Sequence, residues 1–255
     1  PIPLNIVFED DYLMVLNKPA NMVVHPGVGN YSGTLLNGVA YYLEQQNPGI
    51  DEDTLPRYGL VHRIDKNTTG LLVLAKTGEA AAHLAKQFFN HTVKRKYVAV
   101  VWGDVAEDEG TITGHIARHK QHRKMFDVYP DGEIGKHAIT HYQVIERFHY
   151  VTLVACELET GRTHQIRVHM QHIGHTLFND WEYGGDEILK GTIYQKYKQF
   201  VQNCFEVCPR CALHAQTLGF VHPITGKQLY FEAPLPNDMQ QLIEKWRGYV
   251  KAIKI

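Results

Sequence analysis

Residues 59–77, GLVHRIDKNTTGLLVLAKT, place a polar loop directly before an apolar segment. Residues 71–75 are all apolar and lie between Gly70 and Lys76, a pattern that predicts a short strand buried on both faces. A loop that leads into a rigid core strand can hold a reactive side chain in a fixed place. We therefore expect the core of the sheet at 71–75 and functional residues in the loop before it.

Further strands are predicted on both sides of this segment. Apolar, β-branched or aromatic stretches lie at 6–8, 13–16, 96–102, 137–148, 149–159 and 217–233. The first two predict a hairpin, because the acidic residues 9–11 between them favour a turn. The last stretch predicts a second hairpin, with Pro223, Thr225 and Gly226 at its turn.

Three segments have helical patterns. Residues 34–44 and 80–91 have helical spacing or helix-forming composition, and a C-terminal helix is expected to begin at a cap on Asn237 or Asp238. Its apolar stripe consists of Met239, Leu242, Ile243, Trp246 and Val250. Because strands outnumber helices and do not alternate with them regularly, we predict an α+β fold with a mixed, mostly antiparallel sheet and flanking helices.

Composition restricts the class of protein. The 255 residues are 44% hydrophobic and 21% charged, which is typical of a globular chain with one large domain. The four cysteines form no secreted disulfide pattern, so a cytoplasmic location is expected. No apolar run is long enough to span a membrane, and the first residues, PIPLNIVFEDDY, do not resemble a signal peptide.

Charge is distributed unevenly along the chain, although the net charge is only −1. Residues 1–56 carry one Lys against seven Asp and Glu, whereas residues 57–124 carry twelve Lys and Arg against six Asp and Glu. The basic stretch 115–124 contains Arg118, Lys120, Arg123 and Lys124, and such side chains suit contacts with a nucleic-acid backbone. RNA is the expected partner, and a merely solvated loop is the alternative.

Asp65 is the candidate reactive residue of the first polar loop. Arg63 and Lys66 lie close to it in the sequence, and a carboxylate beside cations stays ionised, as a nucleophile or base requires. Taken alone, the loop favours an ordinary surface ion pair over a catalytic group.

A second polar segment, ETGRTHQIRVHM at 159–170, predicts a helix that begins near Thr163 and holds Arg167 in place. Arginine can bind a carboxylate through two parallel hydrogen bonds, so Arg167 is a candidate partner for a buried Asp. The alternative is an amphipathic helix whose Arg and His side is solvated, and the residues alone do not separate the two.

Metal binding is not predicted. His164, His172 and His175 approach one helix face, but no carboxylate accompanies them. Cys204, Cys208 and Cys211 have a spacing that some metal centres use, yet free cytosolic thiols are the favoured interpretation.

Five ordered blocks together resemble the RluA family of RNA pseudouridine synthases, which modify ribosomal and transfer RNA. The blocks are NKPANMVVHPGVGN (17–30), HRIDKNTTGLLVLAKT (62–77), KRKYVAVVWG (94–103), LETGRTHQIRVHMQHIGH (158–175) and ALHAQTLGFVHPITG (212–226). The resemblance covers nearly the whole chain, so residues 1–255 are expected to form the catalytic domain. The small N-terminal RNA-binding domain usual in close relatives is not among these residues, and the cysteine cluster departs from the family pattern.

The resemblance also implies roles for individual residues. Asp65 matches the catalytic aspartate, Tyr97 the tyrosine that packs on the target base, and Arg167 the arginine paired with the aspartate. Arg63 matches the residue that fills the gap left by the flipped uridine, and Leu213 lies in the family's apolar pocket wall. The implied fold has a central catalytic cleft.

The implied activity is the isomerisation of uridine to pseudouridine in structured RNA, without a cofactor, by a monomer that binds no membrane. The expected target is a stem-loop of 23S ribosomal RNA, and transfer RNA is the alternative. Two other classes remain as competitors, a hydrolase that uses a carboxylate nucleophile and a non-catalytic RNA-binding module. The carboxylate mechanism stays open between covalent attack and a glycal.

Overall fold

The computed structural model describes residues 1–254, and the chain divides into two compact units. The first unit comprises Pro1–Arg95 and Ala215–Pro234, and the second comprises Lys96–His214 together with the C-terminal segment from Leu235. The chain therefore passes between the units within two of its strands and again at residues 234 and 235. Among residues 1–254, no helix combines the length and the apolar character needed to cross a membrane.

The first unit contains a series of neighbouring strands. They are β1 (Ile6–Glu9), β2 (Leu13–Lys18), β3 (Thr69–Ala75), β10 (Leu213–Val221) and β11 (Gln228–Glu232). Strand β2 pairs antiparallel with both β1 and β3, β3 lies beside β10, and β10 pairs antiparallel with β11. All seven residues of β3 are buried, so the apolar stretch at 71–75 forms a core strand as predicted.

Two helices and a short 3₁₀ turn complete the first unit: α1 (Leu35–Gln46), α2 (Gly78–Phe89) and Pro56–Gly59. Thr34 caps α1 by accepting a hydrogen bond from the Asn37 backbone, and Thr77 caps α2 in the same way. The core lies between α2 and the strands and includes Val73, Leu84 and Phe220.

The second unit contains a four-stranded antiparallel sheet and a separate hairpin. The sheet has the order β4 (Lys94–Trp102), β9 (Val151–Leu158), β8 (Ile139–Arg147) and β5 (Glu109–Thr113), and the hairpin consists of β6 (His115–Arg118) and β7 (Phe126–Tyr129). Its helices are α3 (Gln165–His172), α4 (Gln195–Val207) and α5 (Asn237–Ile253), with a 3₁₀ turn at Trp181–Tyr183. Helices α4 and α5 cover a core of buried aromatic residues around Trp102, Phe178 and Trp246.

The α+β fold with a mostly antiparallel sheet is confirmed, whereas three local predictions are wrong. Helix α3 is not capped by Thr163: His164 takes the cap position in a left-handed conformation, and the Gln165 amide oxygen accepts from the Arg162 backbone instead. Pro236 precedes α5 without a side-chain cap, because the Asp238 carboxylate binds Arg210. The start of the predicted basic loop is strand β6.

Candidate active site

A buried lysine, Lys18, holds the backbone of the loop that carries Asp65. Lys18, at the end of β2, is 1% exposed, and its ammonium group donates to the carbonyls of Pro19, Met22 and Lys66 at 2.7, 3.0 and 3.0 Å. The Met22 backbone N–H also donates to the Lys66 carbonyl. Because a buried ammonium is costly unless hydrogen-bonded, these contacts hold the loop in one conformation.

The end of the loop is fixed by Gly70 in β3. Its φ is +121°, and a Cβ atom there would lie 2.2 Å from the carbonyl oxygen of Ala215. Any other residue would therefore collide with the backbone of β10, whatever its side chain. Together, Lys18 and Gly70 give half-buried Asp65 a rigid surrounding backbone, which a reactive group needs.

His62 fixes the start of the loop. Its Nε2 accepts a hydrogen bond of 3.0 Å from the Val73 backbone N–H, and its ring stacks on Phe88 with centroids 4.3 Å apart. Burial lowers the pKa of His62 to about 3, with a smaller contribution from the charge of Arg95. The ring is therefore neutral at physiological pH and carries its proton on Nδ1.

Because of His62, the free energy of unfolding is expected to decrease as the pH is lowered. The unfolded ring binds a proton near pH 6.5, whereas the folded ring stays neutral down to about pH 3. Between these values the unfolded state holds more protons, so His62 can remove up to about 1.4 kcal/mol per pH unit on acidification. Denaturant unfolding between pH 7 and 4 measures this loss.

His62→Gln should flatten that pH dependence, while the Gln side chain can still accept from Val73. His91→Asn is the control, since His91 is exposed and Asn tolerates its positive φ. Equal pH dependence in wild type and His62→Gln would exclude His62 as the source.

Arg167 is buried, so the alternative of a helix solvated on its arginine side is wrong. Its Nε and Nη2 donate to the two oxygens of Asp180 at 2.8 and 2.7 Å, and Nη2 also donates to Glu182 at 2.8 Å. The guanidinium lies 4.9 Å from the ring centroid of Tyr183. Arg167 and Asp180 are 5% and 1% exposed. This bidentate pair fixes the orientation of the guanidinium within the second unit.

The remaining two candidates of the second unit are also buried. Tyr97 in β4 is 8% exposed and pairs in register with Cys156 of β9. Leu213 is 3% exposed, and its carbonyl accepts a hydrogen bond of 2.7 Å from Arg210. Burial raises the pKa of Asp238, but hydrogen bonds and charge from Arg210 outweigh this effect, so the pKa stays below its ordinary value. Asp238 thus remains ionised and holds Arg210 against Leu213.

The predicted site residues thus fall in two groups. Asp65 and Arg63 belong to the first unit, and Tyr97, Arg167 and Leu213 belong to the second. The pairing of Arg167 with Asp65 stays a prediction. Sequence reasoning missed Lys18, Asp180, Glu182 and Arg210, which hold the candidates in place. No motif identified them, although the stretch NDWEY at 179–183 carries both carboxylates, Asp180 and Glu182.

The basic segment forms the tip of the β6–β7 hairpin. Arg118, Lys120, Arg123 and Lys124 are all exposed. The Tyr183 hydroxyl accepts a hydrogen bond of 2.9 Å from the Phe126 backbone N–H, and buried residues of the hairpin pack against Val168 of α3. The hairpin therefore extends from the same part of the second unit that holds Arg167.

The histidine and cysteine clusters do not form a metal centre. No group of three or more potential metal ligands exists among residues 1–254. His169 bonds Thr140, and His175 contacts the Trp102 carbonyl. Cys156, Cys204, Cys208 and Cys211 are all free and buried, and burial raises the thiol pKa of the first three to about 12.

The chain is similar to known RNA pseudouridine synthases. The family model of RNA pseudouridylate synthases matches residues 12–172. An "uncharacterized RNA pseudouridine synthase" of Chlorobaculum parvum is 46% identical over 252 residues, covering 98% of this chain and 76% of the relative. Ribosomal large subunit pseudouridine synthase D of Zymomonas mobilis is 46% identical over 243 residues, covering 95% of this chain and 73% of the relative.

A solved structure shares the fold. Human RNA pseudouridylate synthase domain containing 4 superposes with a TM-score of 0.72 at 22% identity, covering 95% of this chain and 93% of that one. The chain belongs to the RNA pseudouridylate synthase family. It is accordingly a pseudouridine synthase, an isomerase that acts on RNA.

Proposed function

We propose that this enzyme converts uridine to pseudouridine in a stem-loop of large-subunit (23S) ribosomal RNA, using Asp65 as its nucleophile and no cofactor. The observation that carries the proposal is the fixed loop around Asp65, held by Lys18 and Gly70. The names of the relatives support the RNA class, since synthase D of Zymomonas mobilis is named for the large ribosomal subunit. The enzyme acts as a monomer in the cytoplasm, without contact to a membrane.

The proposed reaction balances without a redox step. The bond from N1 of the base to C1′ of the ribose breaks, the base turns, and a bond from C5 to C1′ forms. C5 loses its proton, and N1 gains one. Asp65 acts on the sugar, either by covalent attack at C1′ or by promoting formation of a glycal, and Arg167 orients the carboxylate.

The base must leave the stack before it reacts. This costs a few kcal/mol, which contacts in the pocket must offset. Tyr97 stacks on the flipped base, Leu213 forms the apolar wall, and Arg63 fills the gap left in the RNA. Burial of Tyr97 and Leu213 supports these roles, since a buried ring and a buried aliphatic side chain are held rigidly.

The target is tested by incubating the enzyme with 23S ribosomal RNA, with transfer RNA and with fragments of each, followed by mapping of pseudouridine. Modification at a defined position of a 23S stem-loop is expected. Modification of transfer RNA alone would assign the enzyme to the alternative substrate.

Tyr97→Phe should slow proton release from C5 by about 10²-fold or more, because the variant keeps the ring but loses the hydroxyl that assists deprotonation. Tritium release from RNA labelled at C5 of uridine measures this step. Tyr230→Phe is the control, since Tyr230 is 61% exposed on β11. Proton release at the wild-type rate in Tyr97→Phe would contradict the assisting role.

Replacing Arg118, Lys120, Arg123 and Lys124 together by Gln should weaken RNA binding. Four lost phosphate contacts lower the slope of log affinity against log salt by about 3 units. The rate at saturating RNA should change little, because the hairpin tip makes no contact with the reacting atoms.

The matched control replaces Lys196, Lys198, Lys251 and Lys254, which are exposed on or next to α4 and α5. Both variants lose four charges, so a purely nonspecific effect would be equal in the two. Equal salt slopes would show that the hairpin does not bind the RNA backbone.

A further inference from the structure

A cavity in the first unit lies at the start of the loop that carries Asp65. Its volume is about 220 Å³, and it is lined by His25, Arg57, Leu60, Val61, His62 and Arg63. The lining contains two arginines and two histidines, and no Asp or Glu of residues 1–254 belongs to it. The cavity therefore favours an anion.

Arg57 is held at this cavity by an unusual backbone. Arg57 and Tyr58 both adopt left-handed conformations, with φ of 56° and 47°, and Gly59 follows with φ of 80°. A Cβ on Gly59 would lie 1.8 Å from the Ala75 carbonyl oxygen, so this turn is pressed against the end of β3. Strained residues of this kind persist mainly where they serve a ligand or a switch.

The acidic groups near this turn act on Tyr58. Burial raises the pKa of Tyr58, and the negative charges of Glu44, Glu52 and Asp51 raise it further. The neighbouring Arg57 side chain is exposed and forms no ion pair with any carboxylate in residues 1–254. Its guanidinium is therefore available to an anion.

Hydrogen bonds fix the tautomers of the two histidines that line the same cavity. Arg63 Nη1 donates to His25 Nε2 at 3.2 Å, and His25 Nδ1 contacts the Pro26 carbonyl at 3.1 Å, which places the His25 proton on Nδ1. His62 Nδ1 is buried without a hydrogen-bond partner in residues 1–254, although Nε2 is satisfied by Val73. A buried N–H that lacks an acceptor adds partial positive charge to the wall.

We propose that this cavity binds one phosphate group of the RNA, beside the target nucleotide. The cavity is smaller than the roughly 300 Å³ at which pockets for whole small molecules begin, so it suits a phosphate rather than a nucleotide. Arginine binds phosphate through paired hydrogen bonds. His62 precedes Asp65 by three residues, a chain length of at most about 11 Å, so the bound phosphate lies close to the reacting uridine.

Inorganic phosphate is the first probe, because it tests the cavity without RNA or catalysis. The enzyme is labelled in its histidine rings, and the His25 resonance is assigned by its absence in His25→Gln. Phosphate at millimolar concentration is expected to shift the His25 ring resonance in wild type and in Lys86→Gln, an exposed lysine on α2, but not in Arg57→Gln. No shift in wild type, or an equal shift in Arg57→Gln, overturns the proposal.

RNA is the second probe and identifies the source of the phosphate. Arg57→Gln should raise the KM for RNA about tenfold, leave kcat within about twofold, and lower the salt slope of binding by about one unit. His25→Gln serves as the second variant and should also raise KM. An unchanged KM in both folded variants overturns the RNA assignment.

This inference rests on the proposed function only for the source of the phosphate. If wild type modifies RNA but phosphate does not shift His25, the cavity proposal fails and the proposed function stands. If phosphate shifts His25 but no RNA is modified, the cavity stands as an anion site and the proposed function fails.

Discussion

Asp65→Asn is expected to abolish pseudouridine formation, with a loss of at least about 10³-fold in kcat, while the fold stays intact. Asparagine has nearly the same shape as aspartate but cannot attack C1′ or act as a base. The loop should keep its conformation, because Lys18 donates to the Lys66 backbone carbonyl of the loop and to the carbonyls of Pro19 and Met22. Pseudouridine in digested RNA, measured after single-turnover incubation, gives the rate.

Asp11→Asn is the matched control. Asp11 is exposed in the turn between β1 and β2, so this variant makes the same chemical change away from the loop. Both variants should unfold at the same denaturant concentration as wild type. Retention of more than about one tenth of the wild-type rate in a folded Asp65→Asn would remove Asp65 from the role of nucleophile.

Arg167→Met is expected to lower the unfolding free energy by about 3–5 kcal/mol, because it leaves a buried carboxylate without its partner. Asp180 is 1% exposed and receives two of the guanidinium hydrogen bonds, at 2.8 and 2.7 Å. Denaturant unfolding measures the loss. Activity should fall as well, since Arg167 is proposed to orient Asp65.

Two further variants show whether the buried charge is the cause. Adding Asp180→Leu to Arg167→Met should recover part of the lost stability, since both charges are then removed. Arg247→Met is the surface control: Arg247 binds Glu146 at 2.8 Å, but its side chain is 40% exposed, so the cost should be below about 1 kcal/mol. Equal costs for Arg167→Met and Arg247→Met would contradict the structural role given to the buried pair.

The central strand could be predicted because its signal is local. Residues 71–75 are apolar without interruption, and the structure buries every residue of β3. The C-terminal helix was equally clear, since Met239, Leu242, Ile243 and Trp246 are all buried as the stripe predicts. Helix α4 was missed, although its buried residues Tyr197, Val201 and Cys204 have helical spacing, because polar residues dominate the segment between them.

The N-terminal caps of α3 and α5 could not be predicted, because they depend on tertiary contacts. Asp238 is a good capping residue by type, yet its carboxylate binds Arg210 at 2.9 and 3.1 Å. Thr163 likewise gives way to Gln165, whose amide oxygen also accepts from the Thr160 hydroxyl at 2.7 Å. The preference of a residue for a cap position is overridden where a buried polar group requires a hydrogen-bond partner.

The candidate site likewise combines residues with a local sequence signal and residues that are placed by tertiary contacts. Asp65 and Arg167 lie in distinctive polar motifs, so their candidacy followed from the sequence. Asp180 binds Arg167 from 13 residues away along the chain. Lys18 binds the Lys66 carbonyl, beside Asp65, from 48 residues away. Such contacts depend on how distant segments pack, and a single sequence carries no local signal for them.

A single time course on RNA tritiated at C5 of uridine separates isomerisation from hydrolysis, with EDTA present throughout. For wild type, we expect tritium release equal mole for mole to the pseudouridine formed, without free uracil, and no release with Asp65→Asn. Accumulation of free uracil that retains its tritium would identify a hydrolase instead. Pseudouridine formation at the wild-type rate by Asp65→Asn would contradict the assignment of the nucleophile.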